Sequence, residues 1–487
     1  MTVVLHPRAA PADRLRVWVG VFDVGTAPPL QWFLDSVPTS PTALRSLASA
    51  RTDAMLPRGA NPASVPRSFT GVYEFTGLDA NRSYTVAVHA GAVGATATLR
   101  TLPIEVPRVF DGAFTVLLVS CFHRDEDPAG LAGTIVSRLP AARRPDLSLL
   151  MGDQVYLDLP TLRDFRDDET WLAEKFERDY IMNWSGTPGY AQILDAAPSV
   201  SLPDDHEYWN NYPHPSPMIG NSLSAGGRGR WARAAIAMEE AFQRPYPASV
   251  EHPLVLNIPP LSFFFPDTRT GRDPARGFTM HPDALTRMHA WVDGVIARRD
   301  FPVFVSGQSL YSPPVGSFSG AVKDYELPNY RDYGAVLGEL GRLTDAGVPA
   351  LLLTGDVHWG RVTETRDTRS NRTSMYEIIS SPASLVTTVG ADQVSAVGAW
   401  LGGLFGRPKS WPRHSDPETP PDLLAREVFG PRFHNTIHHG QRGNHVALLR
   451  FARRGDGLEF TVTYWPITRD AALAAPVDLG PFTLRWE

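Results

Sequence analysis

Four short apolar runs in this chain stop in the same way. "FTVLLVSC" ends at Cys121, the only cysteine in 487 residues, and "LSLLMGDQVY" breaks at Asp153, with Tyr156 three positions on. "SVSLPDDHE" runs into Asp204, Asp205, His206 and Glu207, and "ALLLTGDVHW" breaks at Asp356, with His358 two positions on. A strand buried on both faces of a parallel sheet has this appearance, and it ends at the rim where α/β enzymes keep their sites. Strand candidates lie at 114–120, 147–151, 198–202, 261–266, 302–306 and 349–354. They alternate with helix candidates at 128–140, 168–182, 229–243, 281–299 and 331–345. Such alternation is the signature of βαβ units. Strands return from residue 444, so the order predicts an α/β (α+β) fold of mixed sheets covered by helices.

Residues 1–105 differ from the rest. "RLRVWVGVF", "LQWFL", "GVYEFTGL", "YTVAVHAG" and "GATATLRTL" are strand-like runs broken by Pro, Gly, Asn and Asp. "GLDANRSYTVAVHA" resembles the late strands of fibronectin type III domains, which predicts a small all-β sandwich. The two prolines of "TLPIEVPRV" mark a linker, and residues 106–487 form the second expected domain. Within it, 212–230 is rich in Gly, Pro and Ser, and 392–443 carries an apolar "VGAWLGGLFG" and a His-rich end; both read as irregular insertions.

The net charge of −6, with no Lys/Arg run longer than two, gives no electrostatic reason to expect nucleic acid as a stable partner. No segment has the ~18–20 apolar residues of a membrane span. The N-terminus shows no signal-peptide pattern and no twin arginine, so the chain as written is expected in the cytoplasm, or in the periplasm or medium if a leader was removed. Oligomeric state is not legible.

Singly, each strand-end residue has an ordinary explanation: an Asp after a strand caps helices, a lone Cys packs as a small hydrophobe, and Glu207 could be a surface charge. Together, carboxylates, two histidines, a tyrosine and a thiol cannot converge on one sheet edge without strong mutual repulsion. Bound cations resolve that repulsion. An oxygen-rich donor set with one thiolate suits a two-metal centre, the usual apparatus for attacking phosphate esters.

"SC", "GDQVY", "DDHEYWNN" and "GDVHW" resemble, as a set, the motifs of the alkaline phosphatase D (PhoD-like) branch of the calcineurin-like metallophosphoesterases. "FFFPDTRTGRD" resembles that family's "DTR…R" segment, and the N-terminal β module matches its layout. The resemblance covers essentially the whole chain. It implies a four-layer αββα sandwich of mixed sheets behind a fibronectin III/Ig-like domain, acting as an alkaline phosphatase or phosphodiesterase.

Position by position, the resemblance implies that Cys121 and Tyr156 are anionic ligands to ferric iron (Fe3+) and that Asp153 bridges two metals. Asp205, Asp356 and His358 are further ligands, and Asn211 helps hold calcium (Ca2+). His206 touches phosphate or protonates the leaving group; Arg269 and Arg272 are expected to contact phosphate, with Asp204 beside the substrate. "AVKDYELPNYRDY" departs from the family pattern, leaving Asp324 as the expected calcium ligand and Glu326 as its rival. Thiolate and phenolate favour a trivalent iron, and Asp and Asn oxygens suit calcium, with Zn, Mn or Mg as alternatives in the second position. A water or oxide between the cations is the expected nucleophile. The alternatives are a phospholipase- or nuclease-like diesterase, or a binding protein on the same fold. His434, His438 and His439 are expected to be ordinary loop residues.

Overall fold

The computed structural model describes residues 1–160, 165–244, 254–311, 325–384, 432–470 and 474–486. Eight strands come first: β1 (Thr2–Arg8), β2 (Arg14–Val24), β3 (Gln31–Leu34), β4 (Val37–Thr39), β5 (Thr42–Ser49), β6 (Arg67–Thr76), β7 (Ser83–Ala90) and β8 (Val93–Arg100). The sheet β4-β3-β7-β8 packs on β1, β2 and β6 over Val17, Val19, Val21, Trp32, Val86 and Val88. β7 alternates buried and exposed positions, as a strand with one wet face must.

β2 is buried on both faces. Its odd residues enter the sandwich, whereas Trp18 and Phe22 enter a second core, where the Trp18 indole donates to Ala241 O at 2.8 Å. β1 meets a later strand in parallel at Arg8↔Ser199, which joins the two parts in one sheet.

The rest of the chain supplies β9 (Phe114–Val119), α1 (Leu131–Ser137), β10 (Leu147–Met151), α2 (Glu169–Ser185), α3 (Tyr190–Leu194), β11 (Ser199–Leu202) and α4 (Ala225–Phe242). β12 (Leu254–Ile258), β13 (Leu261–Phe265), α5 (Pro282–Arg298), β14 (Phe301–Ser306), α6 (Tyr333–Asp345) and β15 (Ala350–Thr354) follow. The described chain closes with β16 (Gly360–Asp367), β17 (Arg372–Ile379), β18 (Phe433–Gln441), β19 (His445–Arg454), β20 (Gly457–Pro466) and β21 (Val477–Leu484). The first sheet runs β21-β20-β19-β9-β10-β11-β1-β2-β6-β5 and the second β12-β13-β14-β15-β17-β16-β18.

Period-two alternation decides the layers. Val116, Leu118, Leu149 and Met151 of the first sheet meet Phe263, Val303, Val305, Leu351 and Leu353 of the second. The intervening Leu117, Val119 and Leu150 face α1 to α4, while Phe264, Phe304 and Leu352 face α5 and α6. The result is a four-layer αββα sandwich.

Two insertions differ from expectation. α4 starts at Ala225, inside the segment 212–230 expected to be loop, with Ser224 capping it by accepting from Gly227 N at 2.9 Å. Its glycines signal close approach rather than a turn: a Cβ on Gly227 would stand 2.2 Å from Asn221 O. From the segment 392–443, residues 433–441 form β18, paired with β16 at the sheet edge, where polar side chains are ordinary. "VGAWLGGLFG" lies outside the described residues.

Leu118→Ala, fully buried between the sheets, is expected to cost about 2–5 kcal/mol in denaturant unfolding. The exposed Val37→Ser should change stability by less than about 0.5 kcal/mol.

Candidate metal centre

Cys121, Asp153 and Asp356 each stand two residues beyond a strand, after β9, β10 and β15 respectively, while Asp204 to Glu207 follow β11. The parallel register of β9, β10 and β11 brings three of these ends together, and the face-to-face packing of the second sheet adds the fourth.

The backbone turns sharply at these points. Cys121 (φ 54°), Asp153 (φ 54°), Asn211 (φ 71°), Asp356 (φ 62°) and His358 (φ 60°) all sit in the left-handed region, which non-glycine residues seldom occupy and which gathers at functional sites. The loops are tied to each other: Cys121 N donates to Gly152 O (3.2 Å), Phe122 N to Asp153 O (2.8 Å), and Ser384 N to Cys121 O (3.0 Å). Gly152 is required here, since its φ is +88° and a Cβ would lie 2.5 Å from Asp204 Cβ.

Three groups have ligand atoms within 4.8 Å of one another: Cys121–Asp153–His358, Asp153–Asp205–His206 and Asp204–Asp205–Asp356. Asp153 belongs to the first two and Asp205 to the last two. Cys121 Sγ is 3.4 Å from Asp153 Oδ2, and Tyr156 donates to the same oxygen at 3.4 Å. Burial pushes the Cys121 thiol, the Asp153 carboxyl and the Tyr156 phenol well above their ordinary ranges, and neighbouring carboxylates push the same way. A donor set this anionic and this buried ionises fully only around cations. Its mix of soft thiolate, phenolate, imidazole and carboxylate oxygen therefore fits two metal ions.

Around the ligands stands a second set of buried partners. Glu207, which sequence alone left as a candidate surface charge, is fully buried. It accepts from the backbone nitrogens of Asp153 (3.0 Å), Gln154 (2.6 Å) and Asp204 (2.8 Å), and from Gln243 Nε2 (2.9 Å). His206 Nδ1 bonds Asp158 Oδ1 at 2.8 Å; Asp158 is fully buried and also accepts from Asn210 N. Burial opposes charging of His206, but Asp158, Asp205 and Asp153 outweigh it and hold the imidazole well above its usual range. Asp205 accepts from Asn211 N at 2.7 Å, and Gln308 Nε2 donates to Asp356 at 3.2 Å.

The arginines lie in the wall of the centre. Arg269 is fully buried, with its guanidinium on Asp204 and Tyr212 O (3.1 Å) and 3.9 Å from Asp205. Arg272 donates to Thr268 O, Tyr325 O and Gln308. Both bond to the walls of the centre, and Asp204 is Arg269's ion-pair partner. Asp324 lies outside the described residues; Glu326 caps the short turn 327–329, where its backbone N donates to Asn329 Oδ1 at 3.1 Å. Neighbouring Tyr325 donates to Asn211 Oδ1. His434, His438 and His439 lie on β18 rather than in a loop, with His438 on Glu364, and none enters a ligand group among the described residues.

Sequence reasoning missed Asp158, Gln308 and His123. Gln308 had a signal, because "VSGQ" after β14 repeats the apolar-run-then-polar pattern. Asp158 lies two positions beyond Tyr156, and nothing in spacing separates it from a surface acid.

Sheets of this order, packed in these layers with ligands at the strand ends, make the metallophosphoesterase fold. Among solved structures the chain is similar to PhoD, at 12% identity over 97% of this chain and 88% of that one, with a TM-score of 0.62. It is also similar to the purple acid phosphatase PPD1 from yellow lupin (Lupinus luteus) seeds, at 13% identity over 98% and 73%, with a TM-score of 0.52. No protein-family model and no curated protein matches the sequence. At such identities the likeness establishes the fold.

Glu207→Ala strands three buried backbone N–H groups and is expected to cost about 3 kcal/mol or more in chemical denaturation, with loss of bound metal. Glu207→Gln, which keeps two of the acceptor positions at most, should fall between the variant and the parent.

Proposed function

We propose that the chain is a metal-dependent phosphoester hydrolase of the PhoD type. The observation that carries the reading is the chain of three ligand groups linked through Asp153 and Asp205. Cys121, Tyr156 and His358 would hold one ion, iron by its donors. Asp205, Asn211 and Asp356 would hold a second oxygen-preferring ion such as calcium, and Asp153 would serve both. When bound, the pair supplies positive charge for the phosphoryl oxygens and acidifies an attacking water.

The chain's own residues do the remaining work. With Nδ1 committed to Asp158, Nε2 is the His206 nitrogen left to protonate the departing oxygen. Against burial, which lowers it, Asp158, Asp205 and Asp153 raise the His206 pKa. Arg269 holds Asp204 and lies beside Asp205, so two members of the third ligand group are braced by the folded chain itself.

Elemental analysis of protein purified without added metal or chelator, paired with a visible spectrum, tests the assignment. Iron near one per chain with a thiolate or phenolate charge-transfer band is expected. Hydrolysis of p-nitrophenyl phosphate or its bis ester should be lost on chelation and regained on metal return. Metal-loaded protein that hydrolyses neither would leave a binding protein on this fold.

Cys121→Ser should lower iron content and turnover together; wild-type iron and rate would remove the thiolate from the ligand set. Asp158→Asn should lower kcat by about 10–100-fold and shift the basic limb of its pH profile to lower pH, because the partner that raises the His206 pKa is gone. An unchanged basic limb would rule out His206 as the acid.

A further inference from the structure

One flank of the centre opens into a groove. A cavity of about 90 Å³ is walled by Tyr156 and His123 on one side and by Lys175, Asp179 and Asn183 on the other. Phe122, Arg124, Asp125 and Asn183 are shared with a second cavity of about 630 Å³, which runs past Met182 to Tyr190. The second volume falls in the range of small-molecule sites. Tyr156 thus belongs both to the centre and to the wall of the groove.

His123 lines the narrower cavity beside Tyr156. It is 9% exposed, it packs edge-on against Tyr156 at 5.3 Å, and its Nδ1 makes no hydrogen bond. A buried polar atom without a partner is costly unless something else pairs with it. Lys175 is fixed at the throat by Leu157 O and Asp179, both at 2.7 Å, so its position is set before anything binds.

We propose that this groove is the subsite for the organic part of the substrate, and that it takes a polar, nucleoside-sized substituent on the phosphate. The proposal rests on the reading of the centre as a phosphoester site. Phe122 and Tyr190, buried with rings 4.8 Å apart, back the groove with a rigid apolar floor. His123, Asn183, Ser185 and Thr187 supply hydrogen-bonding groups along the same path. Arg124, Asp125, Asp127, Lys175 and Asp179 set charge of both signs along it, which an acyl chain would have to desolvate without return.

The test compares two diesters with one leaving group, the p-nitrophenyl ester of thymidine 5′-phosphate and methyl p-nitrophenyl phosphate. Met182→Trp, which fills the groove away from the ligands, should raise KM for the thymidine ester about tenfold and leave the methyl ester within about twofold. Thr187→Trp, at the exposed rim, repeats the test if the first variant fails to fold. Equal effects on both esters, or none on either, would overturn the subsite. Calorimetry of thymidine 5′-phosphate against inorganic phosphate reads the groove without turnover. The nucleotide should bind more tightly to the parent protein, and the advantage should vanish in Met182→Trp. Native protein that hydrolyses neither ester removes the hydrolase reading alone, and the calorimetric ratio then decides the groove: equal affinities for the two ligands would overturn it.

Discussion

Glu207 takes hydrogen bonds from three backbone nitrogens on two different loops and from the Gln243 amide, all in a volume closed to water. One loop follows β10 and carries Asp153 and Tyr156; the other follows β11 and carries Asp204, Asp205 and His206. Their spacing is therefore fixed by a carboxylate that touches neither substrate nor ligand atom. Burial lifts the Glu207 pKa to about 7 against the pull of those donors, so the clamp sits close to the limit at which it keeps its charge. Gln243 caps α4, whose neighbouring residues Ala241 and Phe242 receive Trp18 and Arg8 from the N-terminal strands. The sandwich at the start of the chain is in this way mechanically continuous with the centre.

The electrostatic logic runs outward from the same place. Asp158 holds His206 and Gln308 holds Asp356, and the two are held in turn by Asn210 and Arg272, while Arg269 pairs with Asp204 of the third ligand group. Arg269 and Arg272 bring positive charge to this ring, Arg269 within 3.9 Å of Asp205, and the ligand groups themselves are rich in acidic side chains. Such an arrangement repels itself unless cations enter it, which makes orientation a property of the folded chain and charge balance a property of what it binds.

The strands in the middle of each sheet were legible because both their faces are dry: β9, β10, β13, β14 and β15 are predominantly apolar and buried along their whole length, and the shorter β11 alternates serine with Val and Leu. The polar residues that end them were legible for the same reason. What escaped were elements whose identity is set by neighbours. β18 is a polar edge strand that acquires its form from β16. The start of α4 is hidden behind glycines required by packing. The buried partners of Arg269 and Arg272, among them Asp204 and Gln308, lie far from them in sequence and are set by the fold. Asp158 is indistinguishable in sequence from any exposed aspartate.

The left-handed backbone at Cys121 narrows which residues that site can hold. A β-branched side chain is excluded by sterics, whereas Asp and Asn adopt this conformation with less strain than most residues do. The scaffold would accept a hard oxygen donor at this corner without rearranging its loops. With Cys121 as a ligand in the proposed centre, exchange of a sulfur for an oxygen donor would be a one-residue step on an unchanged frame.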